Sequence, residues 1–126
     1  MPPLTSLILG LHGIIGILNG VPGLIFPSIA VRNAQIMEIS SAPAVDAIAL
    51  GSVSLGVFYL NAAYRRDIPI MWMSVVGRMA AVIVFWPRGG VWRNVALFEG
   101  ICGLSLVLAR GWDVWGRGRY VEGKDQ

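Results

Sequence analysis

Residues 68–109 read IPIMWMSVVGRMAAVIVFWPRGGVWRNVALFEGICGLSLVLA. Two apolar runs, 68–86 and 91–109, are each about the length a helix needs to cross roughly 30 Å of hydrocarbon. Between them stand Pro87 and the Gly89-Gly90 pair, residues that break helices and turn chains. The stretch therefore predicts two antiparallel spanning helices joined as a hairpin. Deep in the first run lies Arg78, and deep in the second lies Glu99.

Working outward, residues 43–64 form another run, separated from the hairpin by Arg65, Arg66 and Asp67, and residues 4–26 form a fourth. The run at 4–26 is too long and too rich in glycine to read as a cleaved signal peptide, so it is expected to stay in the mature protein. The connection at 27–42, PSIAVRNAQIMEISSA, is neither glycine-rich nor strongly charged. Ile29, Ile36 and Met37, with Arg32 and Glu38 elsewhere on the wheel, predict a short helix lying along the interface or capping the bundle. After Arg110, the aromatic residues Trp112, Trp115 and Tyr120 stand among Arg117, Arg119 and Lys124, the pattern of an interfacial tail. The expectation is an all-α integral membrane four-helix bundle over residues 1–110, a short interfacial helix between its first two spans, and a cytoplasmic tail over 111–126.

Composition agrees with the bilayer. The 126 residues are 56% hydrophobic and 13% charged, against about 45–50% and about 25% in ordinary soluble domains. A domain this small keeps most side chains near its surface, so this much apolar area would have to face water. Ten Lys and Arg against seven Asp and Glu give a net charge of +3, yet the basic residues sit at the ends of apolar runs and form no stripe. That pattern excludes nucleic acid as a partner and leaves membrane lipids and a lipophilic small molecule. The single cysteine, Cys102, rules out an internal disulfide, a CxxC redox site, a cysteine zinc site and vitamin-K-type quinone reduction. One histidine gives no second axial ligand for haem and makes metal catalysis unattractive, so no cofactor is expected.

Basic residues outside the spans also predict orientation. Arg65, Arg66, Arg110, Arg117, Arg119 and Lys124 fall on the side of the termini, six in all, against Arg32, Arg88 and Arg93, three, on the other. Both termini are expected in the cytoplasm, in an endoplasmic reticulum membrane if the host is a eukaryote and a plasma membrane otherwise.

Ionisable groups inside spans are costly unless paired or hydrated, and so carry most of the functional information. Arg78 is about ten residues into its span, and Glu99 about eight into the next, counted from opposite ends; at about 1.5 Å per residue the two lie at nearly one depth and can pair. Asp46, at the start of the second span, and Asn19, in the matching half of the first, are expected to join them in a polar layer reached from the non-cytoplasmic face. His12 shares a helical face with Asn19 and lies about 10 Å nearer the cytoplasm. Tyr59 and Asn61 are more than a dozen residues from Asp46 and fall outside the layer.

Asn19, Asp46, Arg78 and Glu99 are thus the catalytic candidates, with His12 and Trp92 as candidate substrate contacts. Bland roles exist for each. Arg78 and Glu99 suffice to fix helix register; Asp46 suits a helix N-terminus; Asn19 and His12 can bond across helices; and Trp92, with Trp86 and Asn94, suits an aromatic belt. The shared depth of four polar residues points beyond a structural pair, which needs only two partners.

Two carboxyl groups around one arginine can divide acid and base duties, one ionised beside the arginine and the other kept protonated by burial. With Asn19 positioning a water, that set suits hydrolysis of an epoxide: the carboxylate activates water and the acid protonates the departing oxygen. The chemistry resembles that of the limonene-type epoxide hydrolases, whose fold is unrelated. Without a trapped water, the same groups could catalyse an isomerisation or a cyclisation.

The run LHGIIGILNGVPGLIFP, the polar connection and the three further spans resemble small four-span proteins of the DoxX-like type, and the small integral membrane hydrolases and cyclases of fungal polyketide and meroterpenoid pathways. The resemblance covers about residues 4–110. It implies a tailoring enzyme acting on a lipophilic secondary-metabolite intermediate that enters from the bilayer, and it carries no residue roles. Small multidrug transporters show a different pattern, with a glutamate in the first span. A transporter or a non-catalytic accessory subunit is the alternative. Gly10, Gly13, Gly16 and Gly20, Ser52 and Gly56, and Gly100 and Gly103 offer close helix contacts, either inside the bundle or between copies in a homo-oligomer.

Overall fold

A computed structural model describes residues 2–122, with side chains as far as Gly116. The side chains of Arg117, Arg119, Tyr120 and Lys124 lie outside the described residues.

The chain is all-α. Helix α1 spans Leu4–Ile25, α2 Pro27–Ile36, α3 Ala42–Arg65 and α4 Ile68–Phe85, and a short 3₁₀ turn over Trp86–Arg88 leads into α5, Gly90–Glu122. Four of these helices are long and apolar enough to cross a membrane, and α2 is the short helix expected between the first two. Prolines mark the starts: Pro27, Pro43 and Pro69 each occupy the first turn, where no intrahelical donor is lost. The Asp67 carboxylate caps α4 by accepting a bond from the Ile70 amide at 3.1 Å. Helix α3 ends on Arg66 in the left-handed region, φ 56°, and the amides of Arg66 and Asp67 return to the carbonyls of Ala63 and Ala62. At Arg110, where the sequence suggested a tail, α5 continues without a break.

Packing follows the small residues. Gly13, Gly16 and Gly20 bring α1 against α3 so closely that a Cβ on Gly13 would lie 2.7 Å from the Gly56 carbonyl oxygen, and one on Gly20 2.4 Å from that of Ala49. The Ser52 hydroxyl donates to the Gly16 carbonyl across the same seam at 2.9 Å. The α4–α5 hairpin packs through Gly100 against Val82 and through Gly103 against Met79 and Arg78. Internal packing thus takes up these glycine faces.

The two pairs, α1 with α3 and α4 with α5, are joined around a buried cluster of Leu9, Ala62, Met71, Val75 and Leu106. This apolar plug sits toward the termini and the α3–α4 turn. Beyond it, the Asp113 carboxylate of α5 accepts bonds from the Leu4 and Thr5 amides, at 2.8 and 2.9 Å, and from the Thr5 hydroxyl. These are amides of the first turn of α1, which lacks a side-chain cap of its own. Outward, the spans present Leu18, Met73, Ile83 and Leu108, each more than 60% exposed, a surface suited to lipid and not to water.

Candidate functional site

The plug residues locate the polar groups. One helical turn from Leu9 on α1 comes His12; one turn back from Ala62 on α3 comes Tyr59; three residues from Met71 and from Val75 on α4 come Ser74 and Arg78; one turn back from Leu106 on α5 come Cys102 and Gly103. Since i and i±3 or i±4 positions share a helical face, these groups face inward with the plug; His12, Tyr59, Arg78, Cys102 and Gly103 form the next layer of the bundle, while Ser74, between Met71 and Val75, stands at the depth of the plug itself. Each spanning helix contributes to it.

Arg78 dominates this layer. It is 8% exposed, and its Nη1 donates to Glu99 Oε2 at 2.6 Å, across the α4–α5 hairpin. The sequence expectation that these two groups lie at one depth and can pair describes this contact. Gly103 packs beside the arginine stem, where a Cβ would meet Arg78 Cβ at an ordinary 3.6 Å and the flexible end of Met79 at a tighter 3.0 Å. The guanidinium carbon also lies 5.7 Å from the centre of the Tyr59 ring, in cation–π range. Glu99 is less enclosed, with a quarter of its side chain exposed.

His12 is buried on the α1 side, its Nε2 3.5 Å from the Ser105 hydroxyl, which in turn donates to the Cys102 carbonyl at 2.8 Å. Among the described residues, three buried side-chain polar atoms find no hydrogen-bond partner: His12 Nδ1, Ser74 Oγ and Arg78 Nε. Unpaired buried donors and acceptors are rare because each forfeits its hydration, at about 1–3 kcal/mol. Two of them in this layer and the third one turn back along α4 set the region apart from an ordinary core.

Two expected members are elsewhere. Asn19 is exposed although it shares a face with buried His12. The contacts from α1 to α5 run from Asp113 through the plug to Ser105, and two turns further out the asparagine is uncovered. Asp46 is also exposed. It lines a groove of about 420 Å³ between α2 and the start of α3, with Val31, Gln35, Glu38, Ile39 and Val45. Equal depth in the bilayer did not place either residue on the inner face, because rotation about the helix axis is set by packing. Trp92 stacks on Phe85 at 5.1 Å and Arg93 lies over Trp86 at 5.0 Å, so these aromatics close the hairpin turn.

Tyr59, Ser74 and Ser105 are the residues that sequence reasoning missed. Distance from Asp46 keeps Tyr59 out of the expected layer, whereas Arg78, 5.7 Å from its ring centre, is the reference point that places it. The available signal was the three-residue step from Tyr59 to Ala62 and the four-residue step from Ser74 to Arg78, each marking one inward face. Among the described residues, His, Cys, Asp and Glu form no group of three that could hold a metal ion.

Comparison of the chain with protein-family models, curated proteins and solved structures found no significant match. The fold defines the class: with four helices among the described residues long and apolar enough to cross a membrane, this is a small multi-pass membrane protein.

Proposed function

We propose that this protein is a membrane-embedded enzyme that acts by acid–base catalysis on a lipophilic intermediate, with Arg78 and Glu99 as its central pair. The observation that carries the reading is the 2.6 Å contact of these charges among buried polar atoms without partners, because a pair that served only to hold two helices would need no such surroundings. Glu99 supplies the base, and Arg78 steadies negative charge as it moves between carboxylate and substrate. The lipophilic substrate follows from apolar outer faces through which a membrane-dissolved molecule reaches the bundle. The likeness in hydropathy to DoxX-like proteins and to the membrane hydrolases and cyclases of fungal pathways supports a tailoring role, in the endoplasmic reticulum of a eukaryote or the plasma membrane of a bacterium.

Proton-transfer rearrangement, an isomerisation or a cyclisation, fits the layer best. With Asp46 outside it, a cycle in which Glu99 takes a proton and returns it needs no second carboxyl group. Epoxide hydrolysis is the second reading, favoured by the partial exposure of Glu99, which leaves its carboxylate open to water. Turnover of polyene and terpenoid epoxides by the purified protein in ¹⁸O-labelled water separates them. Label in the product establishes hydrolysis, and conversion without label establishes rearrangement. Glu99→Gln should reduce turnover by about 10²-fold or more in folded protein. Absence of any conversion, with proton-coupled flux or a partner co-purifying in fixed ratio, would replace the enzyme by a transporter or an accessory subunit.

A further inference from the structure

The groove between α2 and the start of α3 lies apart from the Arg78 layer, at the end of the bundle opposite the plug. Its volume of about 420 Å³ falls in the range of small-molecule sites. Val31 and Ala34 of α2, with Ile39 and Val45, give it an apolar wall, and the chain leaves that wall uncovered: Val31 is 58% exposed. Two carboxylates stand on the same wall, Glu38 just past the end of α2 and Asp46 near the start of α3. Among the described residues, neither carboxylate takes part in an ion pair or a hydrogen bond. No basic residue lines the groove, and Arg32, the one base of α2, is not part of its wall.

An open apolar wall with two uncompensated negative charges is complementary to a cation that carries an apolar body. A bare metal ion does not fit, because among the described residues His, Cys, Asp and Glu form no group of three that could hold one. A fatty acid brings like charge. A phospholipid with an ammonium head also brings a phosphate, and the groove has no base to receive it. A long-chain primary amine has the ammonium without the anion. The place suits such a molecule: the start of a spanning helix stands at the boundary between water and hydrocarbon, where a charged head and an apolar chain part. Ile48, 44% exposed and three residues on from Val45, extends the apolar surface along α3 into the span. We propose that this groove binds a long-chain primary amine, its ammonium drawn to Glu38 and Asp46 and its chain laid on the apolar wall toward the bilayer. This is a second site, independent of the reading of Arg78 and Glu99.

The test uses the full chain in phosphatidylcholine nanodiscs and three photoaffinity probes that share one dodecyl chain with a diazirine near the head: the primary amine, the alcohol and the carboxylic acid. Labelling of residues 30–46 is normalised to that of the exposed α4 surface at Met73 and Ile83, which removes differences in partition. The amine should exceed the alcohol by about fivefold, the worth of one good ion pair, with the acid lowest, and added salt should shrink the preference. Glu38→Gln with Asp46→Asn should erase it. Glu38→Gly should weaken it while melting no lower than the native protein, since Glu38 holds φ 56°, which glycine adopts without strain. Equal labelling by amine and alcohol would overturn the proposal, as would a preference that survives the double variant. Loss of amine labelling when phosphatidylethanolamine is added to the nanodisc would also overturn it, by giving the groove to a phospholipid head. Turnover is no part of this readout: the enzyme reading stands or falls at Glu99, and the amine site with or without it.

Discussion

At the scale of single residues, Arg78 decides how much else in the layer is possible. It is tied to Glu99 and faces Tyr59, so its removal strands a carboxylate inside the bundle. Arg78→Met alone should destabilise the protein by about 3–5 kcal/mol, whereas Arg78→Met with Glu99→Leu should recover most of the loss, because an apolar pair leaves no charge uncompensated. Thermal unfolding of the two single variants and the double variant in one detergent gives the coupling directly. Activity should divide differently. Asp46→Asn and Asn19→Ala alter exposed side chains away from the layer and should leave turnover within about twofold, while Glu99→Gln loses about two orders of magnitude or more. Loss of activity at Asp46 equal to that at Glu99 would restore the two-carboxylate mechanism.

At the scale of helices, close approach and termini govern stability. Gly20→Ala places a methyl group 2.4 Å from the Ala49 carbonyl oxygen and 2.7 Å from Val53 Cγ2, so α1 and α3 must separate; Gly77→Ala, with nothing within 4 Å, should be neutral or gain up to about 1 kcal/mol of helix propensity. Unfolding midpoints of the two variants should move in opposite directions, or only the Gly20 one should fall. Asp113 acts across helices as the cap that α1 lacks. Asp113→Ala should cost about 1–3 kcal/mol, read as faster hydrogen exchange of the Leu4 and Thr5 amides with little change at Asp67, which caps α4 independently. The α3 terminus offers a gain: Arg66 holds φ 56°, so Arg66→Gly should stabilise by about 1 kcal/mol.

Across the whole molecule, two helix pairs meet at a plug near one end, and the polar layer rests directly on it. The six-to-three bias of basic residues predicts that this end faces the cytoplasm. Tags at both termini should therefore be reached together on selective permeabilisation of the plasma membrane, and a tag in the connection at 37–41 should stay protected. Opposite sides for the two termini would contradict four spans.

Sequence by itself determined the number of spans, their starts and the pairing of Arg78 with Glu99. The reason is that these depend on quantities that add along a chain: apolar length against bilayer thickness, helix-breaking prolines and glycines, and a fixed rise per residue that converts position into depth. Rotation about each helix axis does not add in this way. It is chosen when Gly13, Gly16 and Gly20 seat α1 on α3 and Gly103 seats α5 on α4, contacts between residues far apart in the chain. Only the tertiary structure therefore turned Tyr59 and His12 into the layer around Arg78, with Ser74 one turn before it on α4, and left Asn19 and Asp46 outside it. It also decided that α5 runs past Arg110, because the Asp113 carboxylate gains the unpaired amides of α1 as partners only once the two helices lie side by side.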